Sequence, residues 1–357
     1  MSQYWSETVR NIQPYVPGEQ PKDRKYIKLN TNENPYPPSP AAIEAIRFAA
    51  GDTLRLYPDP SCDELRDTIA AHFGLKRENV FIGNGSDELL AFAFPAFFEP
   101  ACKPILFADI TYSFYPVYAE FFKTPYRLID VDESFDVPVD GYFQENGGIL
   151  IANPNAPTGK GMELSVIENI LQANPGSVVI LDEAYIDFGG ATAAGLIGRY
   201  PNLLVIRTLS KSYSLAGLRV GFAMGSAELI EGIIRVKDSI NSYTVDRLAQ
   251  AGAREAIKDD AYFQETRRKI MQTRERVSQK LLAAGFNVIP SQANFIFVSH
   301  SKCPGQFLFQ TLREKGILVR YFNKPKIDNY LRVTIGTDEE MDAFIRAISE
   351  ICGQRMD

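Results

Sequence analysis

The sequence predicts an α/β fold in two parts, a larger domain built on a mostly parallel sheet and a smaller carboxyl-terminal α+β domain. Its 357 residues amount to about two domains of typical size. Between residues 80 and 223 short continuous apolar runs alternate with helical stretches, the pattern of strands buried on both faces. Beyond residue 284 strands and helices mix in an α+β rhythm. With 45% apolar and 23% charged residues, the composition is that of an ordinary folded chain, which excludes disordered and collagen-like classes.

Residues 1–35 are rich in Pro, Asn, Gln and Tyr without a sustained period and read as an extended arm that needs a surface to lie on. Ser39-Pro40 then opens a helix with Ile43 and Ile46 on one face and Gly51 past its end. Ser61 and Glu64 form a capping-box pattern ahead of Leu65, Ile69 and Phe73, which predicts a second amphipathic helix. The buried-strand runs are Val80–Ile82, Ile105–Phe107, Ile149–Ile151, Val178–Leu181, Leu203–Ile206 and Val220–Ala223. From about 226 to 284 the pattern is nearly all helical, and its charged stretch from Lys258 to Val277 is a long helix with a solvated face. The expected divisions are the arm 1–35, a large domain 36–245 and a small domain 246–357.

The charge balance narrows the function. The 44 acidic against 38 basic residues give a net charge of −6, without the basic surplus of a nucleic-acid binder. No run of about 18 apolar residues and no signal-like start appears, so no membrane partner is expected and the cytoplasm is the expected compartment. The four cysteines are scattered without a Cys-x-x-Cys pair, which points to neither a disulfide framework nor a metal site. The two histidines, His72 and His300, lie far apart, and acid–base work falls to other residues.

Asp182 and Glu183 follow four consecutive apolar residues, at the carboxyl end of a strand where open α/β sheets bind ligands. Lys211 is delivered to the same edge one strand later, and an amine there can form a Schiff base with an aldehyde. Arg219 opens the next strand and, with Ser210, can clamp a phosphate. Upstream, Gly83-Asn84-Gly85-Ser86-Asp87 joins a strand to a helix, the geometry that offers backbone N–H groups and a positive helix end to an anion. A full Gly-x-Gly-x-x-Gly and a Walker lysine are both missing, which disfavours a dinucleotide site. Thr208-x-x-Lys211 lacks the partner motifs of penicillin-recognising enzymes. Together these residues describe a pyridoxal 5′-phosphate site, with Lys211 on the aldehyde and as proton shuttle and Asp182 keeping the pyridine nitrogen protonated.

The segments NPNAPTG (153–159), LDEAYIDF (181–188) and TLSKSYSLAGLRVGF (208–222) resemble the signatures of fold-type I, class II aminotransferases. More narrowly, QPYVPG, LNTNENPYPP, RLYPDP, GNGSDE, SQANF and YLRVTIG resemble the histidinol-phosphate aminotransferase family along nearly the whole chain. The resemblance implies a seven-stranded, mostly parallel sheet in the large domain. It also implies that Tyr112 stacks on the pyridine ring, that Tyr185 hydrogen-bonds its phenolic oxygen, and that Gly85, Ser86, Asp87, Ser210 and Arg219 surround the phosphate. Tyr57 would reach a neighbouring subunit's phosphate in a homodimer with shared sites. Arg332, helped by Arg320, would hold the substrate's anionic group, and Tyr15 and Asn32 would close over it. Ala156 departs from the family's second Asn in NPN-Asn-PTG, and Asn155 is expected to take over that contact to the cofactor. The implied reaction converts L-histidinol phosphate and 2-oxoglutarate to imidazole acetol phosphate and L-glutamate. The rivals are an aromatic amino-acid aminotransferase, a threonine-phosphate decarboxylase and a non-enzymatic sensor module.

Overall fold

The computed structural model describes residues 3–100 and 103–353; Cys102 lies outside the described residues. Seven strands form the large sheet: β2 (Val80–Asn84), β3 (Ile105–Ala108), β4 (Tyr126–Ile129), β5 (Gly148–Ala152), β6 (Val179–Asp182), β7 (Leu203–Thr208) and β8 (Val220–Gly225), in the order β2-β8-β7-β6-β5-β3-β4. Only β8 runs against its neighbours β2 and β7, and the other pairings are parallel. Each expected apolar run is a strand, and β5 to β8 bury nearly every residue, as a sheet covered on both faces demands. The strand without an apolar run is β4. It lies at the sheet edge with Tyr126, Arg127 and Leu128 exposed, so burial imposes no pattern on its sequence.

Helices cover the sheet. They are α2 (Pro40–Ala49), α3 (Asp63–Phe73), α4 (Gly85–Phe97), α5 (Phe114–Phe121), α6 (Leu164–Ala173), α7 (Ala227–Ile240) and α8 (Arg247–Lys258), preceded in the arm by α1 (Glu7–Asn11). Ser39 caps α2 as expected, its Oγ accepting from the Ala42 N–H. The expected capping box at Ser61 does not form. Cys62 occupies the N-cap position with a left-handed backbone, and Asp59 instead accepts from the N–H groups of Ser61 and Asp63.

The small domain holds a four-stranded antiparallel sheet, β12 (Arg320–Tyr321), β13 (Tyr330–Thr334), β10 (Phe295–His300) and β9 (Phe286–Ile289), with α9 (Asp260–Ala283), α10 (Gly305–Glu314) and α11 (Asp338–Cys352) packed on it. A two-stranded parallel pair joins β1 (Ile27–Lys28) of the arm to β11 (Ile317–Leu318). Two findings bear on the divisions. Ala249, Ala253, Ala256 and Ile257 of α8 belong to the same apolar cluster as Ala42 and Leu65 of the large domain, while Leu29 of the arm lies in the small-domain cluster. We therefore propose that the small domain starts inside α9, later than residue 246, and that the end of the arm belongs to it.

Candidate active site

Strand direction brings the chemistry to one edge. Ala152 pairs with Asp182, Thr208 with Gly221, and Asn84 with Val220, so the ends of β2, β5, β6 and β7 and the start of β8 open on one cleft. Its volume is about 470 Å³, enough for a cofactor with a small substrate, and Arg320 and Arg332 of the small domain form its far wall.

One corner is built for an anion. Gly85, at φ +78, starts α4, and a Cβ there would come within 2.6 Å of Arg219 Nη2. Arg219 is itself held left-handed at φ 57, its Nη1 donating to Ser210 Oγ at 3.4 Å and Nη2 lying 3.8 Å from Asp87. Thr208 Oγ1 donates to the same Ser210 hydroxyl at 3.0 Å. A guanidinium set against the positive end of a helix is electrostatically unfavourable until an anion sits between them. The donor set of Ser86, Ser210 and Arg219 fits a phosphate group.

At the cleft floor Asp182 is 6% exposed. Tyr115 donates to Oδ2 at 3.0 Å and the Ala184 N–H to Oδ1 at 3.1 Å. Burial nevertheless outweighs both bonds and pushes the carboxyl up to about 6. A cationic N–H placed against it removes that penalty, which is what a protonated pyridine nitrogen offers. Tyr112 lines the wall, its hydroxyl donating to Asp87 Oδ1 at 2.9 Å, and burial pushes it well above the ordinary phenol range. Its ring is a flat apolar face for a heteroaromatic ring.

Lys211 Nζ projects into the cleft, donates to the Thr31 carbonyl at 3.0 Å and lies 5.7 Å from the Tyr185 ring centre. The backbone beneath it is fixed by Asn34 Nδ2, which donates to the carbonyls of Lys211 and Ser212. Below that, Ser212 Oγ donates to Asp187 at 2.6 Å, and the buried Arg207 pairs with the same carboxylate. Glu183, buried beside this pair, is pushed up to about 7 by desolvation. Tyr185 keeps its hydroxyl at the cleft, where Asn32 Nδ2 donates to it at 2.9 Å.

The second cationic corner comes from cross-strand register. Arg320 and Arg332 stand directly opposite on β12 and β13, an unfavourable pairing of like charges. Their hydrogen bonds go to carbonyls, Arg320 to Val16 and Pro17 and Arg332 Nη2 to Asn30. Arg332 Nε is buried without a partner, and burial pulls its guanidinium below the ordinary value. An anion bridging the two arginines resolves both penalties. Tyr15 lies against this space, stacked on Phe114 at 4.7 Å.

Two expected positions fall outside. Asn155 does not line the cleft: its Nδ2 donates to the Ile110 carbonyl and Thr158 Oγ1, and its Oδ1 accepts from Thr111. The amide is fully committed to holding its own turn, Ala156 faces the cleft instead, and the expected contact of Asn155 with the cofactor is corrected accordingly. Asn155→Ala should leave the bound cofactor's absorption and its pH dependence unchanged, while orphaning buried partners at a cost of about 1–3 kcal/mol, read as a lower Tm. Tyr57 is also remote, 77% exposed and stacked on Tyr243 at 4.5 Å. Sequence reasoning in turn missed Thr31, Tyr115 and the Asp187–Arg207 pair. The first acts through its carbonyl, which no motif records, and the others reach the site only through tertiary packing.

Residues 24–348 match the profile of the family described as aminotransferase class I and II. A protein of Clostridium acetobutylicum named histidinol-phosphate aminotransferase is 59% identical over 350 residues, covering 98% of this chain and 99% of its own. One of the same name from Clostridium beijerinckii is 56% identical, covering 98% and 97%. Among solved structures, histidinol-phosphate aminotransferase of Sinorhizobium meliloti in complex with pyridoxal-5′-phosphate superposes with a TM-score of 0.89 at 26% identity, covering 98% of both chains. Aspartate aminotransferase of Thermus thermophilus with maleate shares the fold, with a TM-score of 0.84 at 18% identity, covering 98% of this chain and all of that one.

Proposed function

The chain belongs to the class I and II aminotransferase family, and from that premise we propose that its cleft moves the amino group of L-histidinol phosphate to 2-oxoglutarate, giving imidazole acetol phosphate and L-glutamate in histidine biosynthesis. The observation that carries this reading is a cleft with two separate cationic corners and a lysine between them. One corner suits the cofactor's phosphate, and the other suits the anionic end of an amino substrate.

When bound, pyridoxal 5′-phosphate supplies an aldehyde that exchanges amines and a ring that draws electron density from the substrate's α-carbon. The protein does the rest. Ser86, Ser210 and Arg219 would hold the cofactor's phosphate at the amino end of α4. Asp182 would keep a proton on its ring nitrogen, Tyr112 would offer a face to the ring, and Tyr185 would offer its hydroxyl to the phenolic oxygen. Lys211 Nζ removes and returns the proton on the substrate's α-carbon. Arg320 and Arg332 orient the substrate by its phosphate, or by a carboxylate of glutamate, and Tyr15 and Asn32 shield it from water.

Purified holoenzyme given L-histidinol phosphate without keto acid should lose its cofactor absorption band, and 2-oxoglutarate should restore it. A band that responds only to phenylalanine or tyrosine would move the substrate to aromatic amino acids. Arg332→Leu should keep the band and lower kcat/KM for histidinol phosphate roughly 100-fold, mostly through KM, as expected for one lost charged hydrogen-bond donor set.

The assembly proposed is a homodimer with shared sites. Its support is a set of exposed large apolar side chains, Phe48 at 93% and Ile240 at 66% with Leu54, Leu56 and Tyr243, the last stacked on Tyr57. A monomer ordinarily covers a patch of this kind. Light scattering that gave one chain per particle would overturn the shared-site role of Tyr57. Among the described residues no helix is long and apolar enough to cross a membrane.

A further inference from the structure

At the far end of the small domain three ligand-type side chains meet. His300 ends β10, Cys303 follows in the turn before α10, and Cys352 is the last residue of α11. One ring nitrogen of His300 and the two Sγ atoms all lie within 4.8 Å of one another. His300 and Cys303 are buried and Cys352 is half-buried. The histidine is oriented as well as placed: the Lys302 N–H donates to Nδ1 at 3.2 Å, and the ring packs on Phe286 at 4.6 Å. Nδ1 is therefore the acceptor nitrogen of the ring in this tautomer.

We propose that His300 Nδ1, Cys303 Sγ and Cys352 Sγ form a zinc site, with a water on the exposed side of Cys352 as the fourth ligand. The metal takes over the Nδ1 lone pair from the Lys302 N–H. Thiolate and imidazole together favour a d10 ion of zinc's type over magnesium or calcium, which take oxygen ligands. In a tetrahedral zinc site with bonds of about 2.0–2.3 Å, ligand atoms stand about 3.5–3.8 Å apart. The cluster needs to contract by no more than about 1.3 Å, within reach of side-chain rotation. Each bound Zn²⁺ displaces the protons of both thiols, and the two thiolates balance its charge. The neutral unit that results suits its surroundings, because Cys303 belongs to the small-domain apolar cluster and Cys352 packs against it.

The site ties the end of α11 to the turn after β10. The cleft lies at the other end of that strand, where Phe295 packs against Tyr185 and under Arg332, roughly 16 Å away at the rise of a β-strand. The metal is therefore a staple of the small domain, separate from the amino-transfer chemistry.

The test uses Co²⁺ as a spectroscopic probe on reduced holoenzyme, with Zn²⁺ as competitor. The expected result is uptake of about one Co²⁺ per chain with a thiolate-to-cobalt band, release of about two protons, and displacement by Zn²⁺. Cys303→Ser and Cys352→Ser should each weaken metal affinity by about 100-fold or more, with kcat unchanged. Cys352→Ser, at the half-buried helix end, keeps the test decisive should Cys303→Ser fail to fold. No stoichiometric uptake by the wild type, or uptake undiminished in Cys352→Ser, would overturn the proposal.

Discussion

Replacing Lys211 with alanine should lower transamination by at least about 10³–10⁴-fold, the range in which a positioned acid–base group contributes. The residue has no substitute. Among the cleft-lining side chains it is the one amine, and its Nζ sits over the cleft on the Thr31 carbonyl. The neighbouring cations are arginines, which stay protonated and cannot accept a proton at neutral pH. The fold should survive, because the lysine is held from below by its backbone: Asn34 grips the Lys211 and Ser212 carbonyls, and Asp187 holds Ser212. Single-turnover measurements on Lys211→Ala should show the loss in the proton-transfer step, with the phosphate corner still retaining cofactor. A variant that kept full turnover would remove Lys211 from the mechanism.

Asp182→Asn should produce two opposite effects. Catalysis falls, by about 10²–10³-fold, because a neutral amide no longer stabilises the charged ring nitrogen. Stability of the cofactor-free protein rises. In that form burial holds Asp182 at about 6 against an ordinary 3.8. A carboxyl whose folded pKa is raised binds its proton more tightly when folded, so stability is lost as pH climbs from about 4 to 6 and the loss is complete above that window. The difference of roughly 2 pKa units corresponds to about 3 kcal/mol. The neutral amide carries none of this penalty, so the cofactor-free variant should melt higher than wild type at pH 8 and converge with it near pH 4. Equal Tm values at pH 8 would mean that the carboxylate is already compensated, and the electrostatic reading of the floor would fail.

Much of this architecture could be read from local sequence because burial leaves a local mark. Strands β5 to β8 are covered on both faces and are written as apolar runs, whereas β4, exposed along the sheet edge, left none. Asp182, Lys211 and Arg219 were legible because each follows or opens such a run. The cap of α3 departs from the Ser61 pattern because a left-handed Cys62 and the side chain of Asp59 take its place. The error at Asn155 has the same origin. Whether an amide faces a cleft or its own turn depends on Ile110, Thr111 and Thr158, which meet it only in three dimensions. His300, Cys303 and Cys352 leave no spacing signature along the chain, because the third member arrives on a distant helix.

The strand pairing of the arm has a consequence for synthesis. Thr31, Asn32 and Asn34 complete the cleft, yet they are emplaced by the opposite end of the chain: β1 pairs with β11, and the Asn32 N–H donates to Thr334 Oγ1, 302 positions away. On the ribosome the large domain can fold first, as amino-terminal units do. Its lysine then lacks the Thr31 carbonyl, and its Tyr185 lacks Asn32, until translation has passed Thr334. Tight capture of the cofactor thus becomes a report that synthesis has passed Thr334, and products that stop before it should remain colourless.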